Sequence, residues 1–359
     1  MNKAKLAPLV AIVGGGSLLG REVRDVLSAG GLAVRAKLIG TDESEARTLT
    51  AEGGEPVVMT ALDEENLAGA RVVFLAGSAA SSSKAFQVLS RRGPGPAVVD
   101  LTHALEDHAK ARLRAPVVEP PDYEVAADAV HVIAHPASIV LALFYTRLRQ
   151  KHPFRRSIAH VFEPASERGQ PGLDELRDQT VSLLAFKRLP KAVFDEQVSF
   201  NLLARYGSEA PEALEKFQLR IERDLASLLA SYGERYSATP RERGRLVRSA
   251  QVPSLRLIQA PVFHGHSFSV WVEFEESPIA DALEQALACP EIDVRDANVE
   301  APTNVGIAGQ SGIAVGAITV DSNDPRAAWF WVVADNFRIV AENAVAVARA
   351  LIGENQRAG

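Results

Sequence analysis

The sequence predicts a two-domain α/β protein, a doubly wound parallel sheet followed by an α+β domain, and three observations carry that expectation. An apolar run at residues 9–13 meets Gly14-Gly15-Gly16-Ser17-Leu18-Leu19-Gly20 and then a helical pattern through Leu27. That is the strand, glycine turn and helix of a dinucleotide-type βαβ unit. Apolar strands then alternate with helical segments to about residue 135, as in a sheet covered on both faces. Past Pro136 the strands alternate apolar with polar residues, the pattern of a sheet packed by helices on one face. A chain of 359 residues also exceeds what one hydrophobic core usually supports.

In order, the first domain offers strands at 9–13, 33–39, 57–59, 72–76, 97–100 and 130–134, with Gly77 and a small-residue loop through Ser83 after the fourth. A helix is expected at 138–150, a strand at 157–163, and a polar Gly/Pro segment at 167–172 that leads into another helix. The charged stretch 209–243 alternates in sign, which reads as the solvated face of helices. Strands at 255–263, 267–275, 313–320 and 329–334 suggest an antiparallel or mixed sheet. Residues 335–352 read as a final amphipathic helix capped by Asp335 or Asn336. The domains so drawn are a Rossmann-type domain at 1–136, a second at 137–334, and a C-terminal helical segment, 335–359, that returns to the first.

Composition excludes several classes. A net charge of -6, with no Lys/Arg block, argues against nucleic acid or an anionic membrane as partner. No apolar run approaches the roughly 20 residues of a membrane span, and residues 1–8 lack the apolar core of a secretory signal. The expected location is the cytoplasm. Cys289 is the single cysteine, so no intrachain disulfide and no multi-cysteine metal centre can form. It ends a helical pattern before Pro290 and is read as structural.

Three segments could carry chemistry. In the first, Gly14, Gly16 and Gly20 permit a tight turn and close backbone approach, while Ser17, Leu18 and Leu19 open a helix whose free N–H groups suit a phosphate. Ala76 and Gly77, after the fourth strand, join the same expected cofactor site. After the second strand, Asp42 can bond a ribose 2′-hydroxyl but repels a 2′-phosphate, which makes NAD physically easier than NADP. The second segment, Ile133-Ala134-His135-Pro136-Ala137-Ser138-Ile139, turns from a strand into a helix N-terminus, where an anion or an activated nucleophile is favoured. In the third, strand alternation puts His264 and His266 on one face. No third ligand accompanies them, so an acid/base or structural histidine is expected rather than a metal site.

These segments, in this order and at these separations, resemble the aspartate-semialdehyde dehydrogenase family over nearly the whole chain. Residues 14–20 resemble its GATGxVG turn, 74–84 its F-S-A-G-G-S-x-S-K loop, 98–106 its V-I-D-N-S-S-A-F-R stretch and 133–140 its I-A-N-P-N-C-S-T. Residues 162–176 follow Y-Q-A-V-S-G-A-G-x-x-G-x-x-E-L, 261–273 resemble P-V-x-x-G-H-S-E-x-V-x-V-E, and 331–345 resemble W-V-V-x-D-N-L-R-K-G-A-A-x-N-A-V. The resemblance implies a homodimer in which each chain has an NADP domain and a catalytic and dimerisation domain, with Asn336 among the cofactor residues. It also implies reduction of aspartyl phosphate to the semialdehyde, or the reverse, through a thioester on cysteine. A histidine acts there as acid/base, and arginines hold carboxylate and phosphate.

At most of those positions this chain carries something else. The cysteine falls on Ser138, with Ala137 the neighbouring alternative, and its partner glutamine falls on Glu163. The phosphate arginine falls on Glu106, the helix lysine on Gln218 or close by, and the carboxylate arginine on Gln259. The histidine persists, as His266, and the middle glycine of the turn is Ser17. A hydroxyl needs a strong positioned base where a thiol does not, and the lost cations remove the field that would hold an acidic, phosphorylated substrate. The expectation is a degenerate family member, similar to the USG-type homologues, that keeps the fold and dimer and serves a binding or regulatory role toward a small-molecule ligand. The alternatives are an NAD(P)-dependent oxidoreductase acting on a less acidic carbonyl compound with His266 as acid/base, and acyl transfer on Ser138 with His266 as base and Glu163 nearby.

Overall fold

The structure is a computed structural model that describes residues 7–41, 49–52, 55–91, 95–120, 123, 125–126, 128–235 and 252–357. Asp42, expected at the ribose, lies outside the described residues, as does 236–243 of the charged stretch. The chain divides into two compact units, Met1–Ala134 with Val340–Gly359, and His135–Ile339. No helix among the described residues is long and apolar enough to cross a membrane.

The strands of unit 1 are β1 (Leu9–Val13), β2 (Arg35–Ile39), β3 (Leu49–Glu52), β4 (Glu55–Thr60), β5 (Ala70–Leu75), β6 (Ala97–Asp100), β7 (Ala111–Arg114) and β8 (Val130–Ile133). They form one sheet in the order β3-β4-β2-β1-β5-β6-β8-β7. Every pair is parallel except β3 with β4. Val10 to Val13 and Val72 to Leu75 are almost fully buried, which explains why the central strands read as unbroken apolar runs. Helices α1 (Leu18–Ala29), α2 (Glu64–Leu67) and α3 (Ala79–Ser90) belong to the same unit. Two strands escaped the sequence reading. Leu49–Glu52 is a short antiparallel partner of β4, and β7, with Arg112 and Arg114 in its four residues, lacks an apolar run.

From β1 the chain moves outward through β2 and β4 and then crosses to β5 on the other side of β1. In a doubly wound sheet that reversal opens a crevice at the carboxyl ends of the strands. Residues 14–17 leave β1 there, and Ala76 and Gly77 leave β5.

Unit 2 carries β9 (Phe154–Glu163), β10 (Ser254–Gln259), β11 (His266–Phe274), β12 (Ile292–Val294), β13 (Ile313–Val320) and β14 (Ala327–Ala334). The sheet runs β10-β9-β11-β14-β13-β12 and is mixed, with β9–β10 and β12–β13 parallel and the other pairs antiparallel. Its helices are α4 (Pro136–Lys151), α5 (Gly169–Leu184), α6 (Leu214–Arg235), α7 (Ala280–Leu287) and α8 (Asn304–Ile307). Ile139 to Phe144 of α4 are all buried, so this helix is apolar all round, as a core helix is. The last helix, α9 (Asn336–Arg357), begins in unit 2. Asp335 caps it by accepting the N–H groups of Phe337 at 3.0 Å and Arg338 at 2.9 Å.

The strand expected at 255–263 ends at Gln259. Pro261 has no N–H to give a ladder, and Gly265, at φ +83°, turns the chain before β11 starts at His266. The alternation that would have put His264 and His266 on one face therefore does not exist. His264 lies before the strand, and His266 opens it fully buried.

Candidate functional site

The topology of unit 2 decides which residues meet. β9 and β14 flank β11 and both run antiparallel to it. The carboxyl ends of β9 and β14 and the amino end of β11 thus share one edge of the sheet, with Ser267 opposite Phe162 and His266 opposite Ala334. Glu163, Ser166, Glu167 and Arg168 follow from β9, His264 and His266 from β11, and Asp335 and Asn336 from β14.

Charge is the first property of this edge. Glu163 is wholly buried, and its Oε1 accepts from Nη2 of Arg168. Burial raises the Glu163 pKa while Arg168 opposes the rise. The guanidinium of Arg168 also donates to the Tyr206 hydroxyl at 3.3 Å and lies 3.3 Å from the centre of the Phe217 ring on α6. Tyr206 in turn donates to Oε1 of Gln259 at 2.6 Å, and Gln259 Nε2 donates to the carbonyls of Glu163 and Ala260. Gln259 is fully buried and every polar atom of its side chain is bonded. Gln218 is likewise engaged, by Glu222 and the Leu257 N–H. Glu106 lies in unit 1.

Glu167 joins a second chain of contacts. Its Oε1 accepts from Asn336 Nδ2 at 2.6 Å, and its Oε2 stands 3.6 Å from Nε2 of His135. Burial and then the Glu163 charge push its pKa up to about 7. Asn336 is spent on this chain. Its Oδ1 takes the Gly265 N–H at 3.0 Å and its Nδ2 serves Glu167 and, at 3.1 Å, Ser166 Oγ.

Ser138 and His266 sit differently from a nucleophile and its base. Ser138 is buried in α4 and donates its hydroxyl to the Ile221 carbonyl at 2.9 Å. His266 is fully buried, and neither ring nitrogen has a hydrogen-bond partner. Its ring lies edge-on to His135 at 5.9 Å. Burial, followed by the charges of His264 and Arg168, lowers its pKa to about 3, so the imidazole is neutral at physiological pH. Among the described residues no three or more His, Cys, Asp or Glu side chains are grouped to hold a metal ion.

In unit 1 the glycine turn closes on itself. Gly14, at φ +77°, lies so near the loop after β5 that a Cβ on it would stand 2.3 Å from Gly77 Cα. Ser17 caps α1 by accepting from Gly20 N at 2.9 Å and donates to the Ala76 carbonyl at 2.7 Å. The N–H groups of Gly14 and Gly15 go to Ile39. Gly16 offers its carbonyl to Arg21 Nε at 3.1 Å. Leu18 and Leu19 open the helix at the crevice.

Sequence reasoning missed Arg168, Glu167, Tyr206, Ser166 and Asp335 as members of this cluster. A signal existed for two of them, because Glu167 and Arg168 stand where the resembled motif has Gly-Ala. The others are brought in by the sheet order.

Residues 237–339 match the family model described as semialdehyde dehydrogenase, dimerisation domain. The chain is 27% identical to the aspartate-semialdehyde dehydrogenase of Aquifex aeolicus, over 96% of this chain and 98% of that protein. It is 28% identical to the USG-1 protein homolog of Azotobacter vinelandii, over 97% and 98%. The solved structure of a probable aspartate-semialdehyde dehydrogenase from Pseudomonas aeruginosa superposes with a TM-score of 0.80 at 24% identity, covering 97% of this chain and 99% of that one, which shows the shared fold. The chain is thus similar over nearly its whole length to aspartate-semialdehyde dehydrogenases and to USG-1 homologues, and its residues 237–339 match the semialdehyde dehydrogenase dimerisation domain.

Proposed function

We propose that this chain keeps the family architecture, has lost the family reaction, and serves as a cytoplasmic, homodimeric binding or regulatory protein. The observation that carries this reading is the network of side chains bonded to one another at the sheet edge of unit 2. Gln259, at the carboxylate-arginine position, is saturated by Tyr206, Glu163 and Ala260, and Arg168, linked to it through Tyr206, is paired with Glu163. An acidic phosphorylated substrate would meet at this edge, among the described residues, a paired Arg168 and the carboxyl group of Glu167 rather than an open cation.

The mechanism fails at each step that its residues would serve. Ser138, at the cysteine position, commits its hydroxyl to the Ile221 carbonyl rather than to a base. His266, whose pKa burial lowers to about 3, is a weak base at neutral pH, and neither ring nitrogen has a hydrogen-bond contact through which to pass a proton. The same facts weigh against His266 as acid/base in an oxidoreductase of different substrate class. Nor do the residues fit the family's cofactor. Asn336 gives one amide N–H to Glu167, a carboxylate at the motif's glycine position, at 2.6 Å and the other to Ser166, while its Oδ1 takes the Gly265 N–H. In unit 1, Ser17 is tied to Ala76, joining the two loops that would receive NAD or NADP. No hydride-transfer step is therefore assigned.

For the dimer, the support is the sheet of unit 2. Ile158, Trp271 and Trp329 are directly opposed across β9, β11 and β14 and so share a face, with Ile158 39% and Trp329 37% exposed. Such a face suits a partner sheet. Purified protein supplied with aspartyl phosphate and NADPH, or with the semialdehyde, phosphate and NADP, is expected to show no turnover above background. Turnover at an enzyme-like rate, about 1 per second or more, overturns the reading. Light scattering is expected to give twice the chain mass.

A further inference from the structure

The sheet edge of unit 2 also brings Ser166, His264 and Asp335 together. Ser166 sits in a 3-10 turn, Ala165–Arg168, that follows β9. Its Oγ lies 3.2 Å from Nδ1 of His264. Nε2 of the same ring lies 2.9 Å from Oδ2 of Asp335. One hydrogen-bond assignment satisfies every group: Ser166 donates to Nδ1, and a neutral imidazole protonated on Nε2 donates to the Asp335 carboxylate. Asp335 is then held as an anion, with its pKa kept low by the His264 bond and by the backbone N–H groups of Arg338 and Gly309 against the cost of burial. A fourth group faces the hydroxyl. Asn336 Nδ2 stands 3.1 Å from Ser166 Oγ and is fixed by Gly265 and Glu167.

Nucleophile to base, base to orienting acid, and a fixed N–H donor beside the nucleophile are the geometric roles of acyl-transfer catalysis. The site is preorganised, because Asp335 and Asn336 are 3% and 1% exposed and anchored on β14 and α9. His264 is only half-buried and rests against the Phe337 ring at 5.2 Å, which leaves one side of the base open to solvent.

We infer that Ser166, His264 and Asp335 form a nucleophile–base–acid triad that hydrolyses esters of short, uncharged acyl groups, with Asn336 as oxyanion donor. Ser166 Oγ attacks the ester carbonyl carbon as its proton passes to Nδ1 of His264, and the carbonyl oxygen becomes an oxyanion facing Asn336 Nδ2. Collapse breaks the bond to the alkoxide, which takes the proton from His264 and leaves as an alcohol. Water then attacks the acyl-Ser166 carbonyl, giving a proton to His264. The second collapse returns that proton to Ser166 Oγ and releases the carboxylic acid. No oxidant, reductant or cofactor enters. Ser166 is 1% exposed, which restricts the acyl group to about acetyl size. The carboxylates of Glu167 and Asp335 beside it exclude acidic acyl chains.

The test uses the full chain with diisopropyl fluorophosphate and p-nitrophenyl acetate as probes. A single phosphoryl adduct is expected, located on Ser166 by peptide mass mapping. Acetate-ester hydrolysis is expected to fall at least about 100-fold in Ser166→Ala and His264→Gln, each checked for an unchanged melting transition. Ser166→Cys, which keeps a nucleophile on the same backbone, is expected to retain acylation and give an acetyl-thioester visible in the intact mass. An unlabelled Ser166 in folded wild-type protein, or hydrolysis that survives in Ser166→Ala, overturns the inference. Neither probe involves aspartyl phosphate or a dinucleotide, so this result is independent of the one that tests the lost family reaction.

Discussion

At the glycine turn of unit 1 two backbone loops touch, whereas at the sheet edge of unit 2 charged side chains pack against one another. The first arrangement is local and uses the absence of a side chain: Gly14 lies against Gly77 with no room for a Cβ. The second is long-range and uses large residues: Arg168 spans Glu163, Tyr206 and Phe217 from three different segments. A backbone contact survives in a lineage because few substitutions are tolerated. A side-chain pocket can be refilled once its ligand no longer matters, provided the new charges are paired. The two regions should therefore respond differently to mutation.

The largest effect is expected at Arg168. Arg168→Ala leaves Glu163 buried without a partner charge, which typically costs about 3–5 kcal/mol. Replacing both partners, Glu163→Gln with Arg168→Met, should recover most of that loss, because an apolar and hydrogen-bonded filling avoids desolvating two ions. Urea denaturation of the two singles and the double completes the cycle. If Arg168→Ala unfolds at the wild-type midpoint, the network is peripheral and the pocket is open.

Gly14 comes next. An alanine there must adopt φ near +77° and place its Cβ against Gly77, costs of about 1–2 kcal/mol for the left-handed backbone and about 1–3 kcal/mol for the overlap. A melting temperature lowered by less than about 2 °C would show that the loop after β5 moves aside easily.

The pH dependence separates the groups of unit 2 from one another. Glu167 has a folded pKa raised from 4.5 to about 7. Its contribution is full below the unfolded value and is lost as pH rises toward 7. His266 has a folded pKa lowered from 6.5 to about 3. Its contribution is present above 6.5 and is lost as pH falls. Between pH 4.5 and 6.5 the two slopes, each at most about 1.4 kcal/mol per pH unit, oppose one another. Stability from these two groups should be nearly flat across that window. Glu167→Gln is expected to expose the His266 slope, with stability rising with pH, and His266→Phe the opposite slope. Identical curves for both variants would show that neither group is perturbed as described.

The same contrast explains what could be read from the sequence. The strand, glycine turn and helix at 9–27 were legible because each requirement is local: apolar residues for a buried strand, glycine where backbones meet, serine at a helix cap. The mixed sheet of unit 2 was legible from its alternation. The site was not, because its members come from segments that only sheet order brings together. Arg168 and Glu167 lie in a polar Gly/Pro segment of the kind that reads as solvated loop, yet both are buried against β9 and α9. The paired histidines failed for a physical reason as well, since a period of two holds only within a continuous strand and Gly265 breaks it. Asp42 was placed at a cofactor ribose, and the described residues do not include it.

Ser17 gives the smallest effect and brings the two regions onto one scale. Its hydroxyl accepts from Gly20 N and donates to the Ala76 carbonyl, so Ser17→Ala removes a helix cap and a loop-to-loop bond, together about 1 kcal/mol. Ser17→Gly restores the glycine of the family turn and, as a cap, should cost only a few tenths of a kcal/mol in the N-cap series. If the tie between Ser17 and Ala76 alone keeps a dinucleotide phosphate out of the crevice, Ser17→Gly should acquire weak affinity for ADP in calorimetry. An ADP affinity in Ser17→Gly no higher than in the wild type would show instead that the Ser17 hydroxyl does not govern access to the crevice of unit 1.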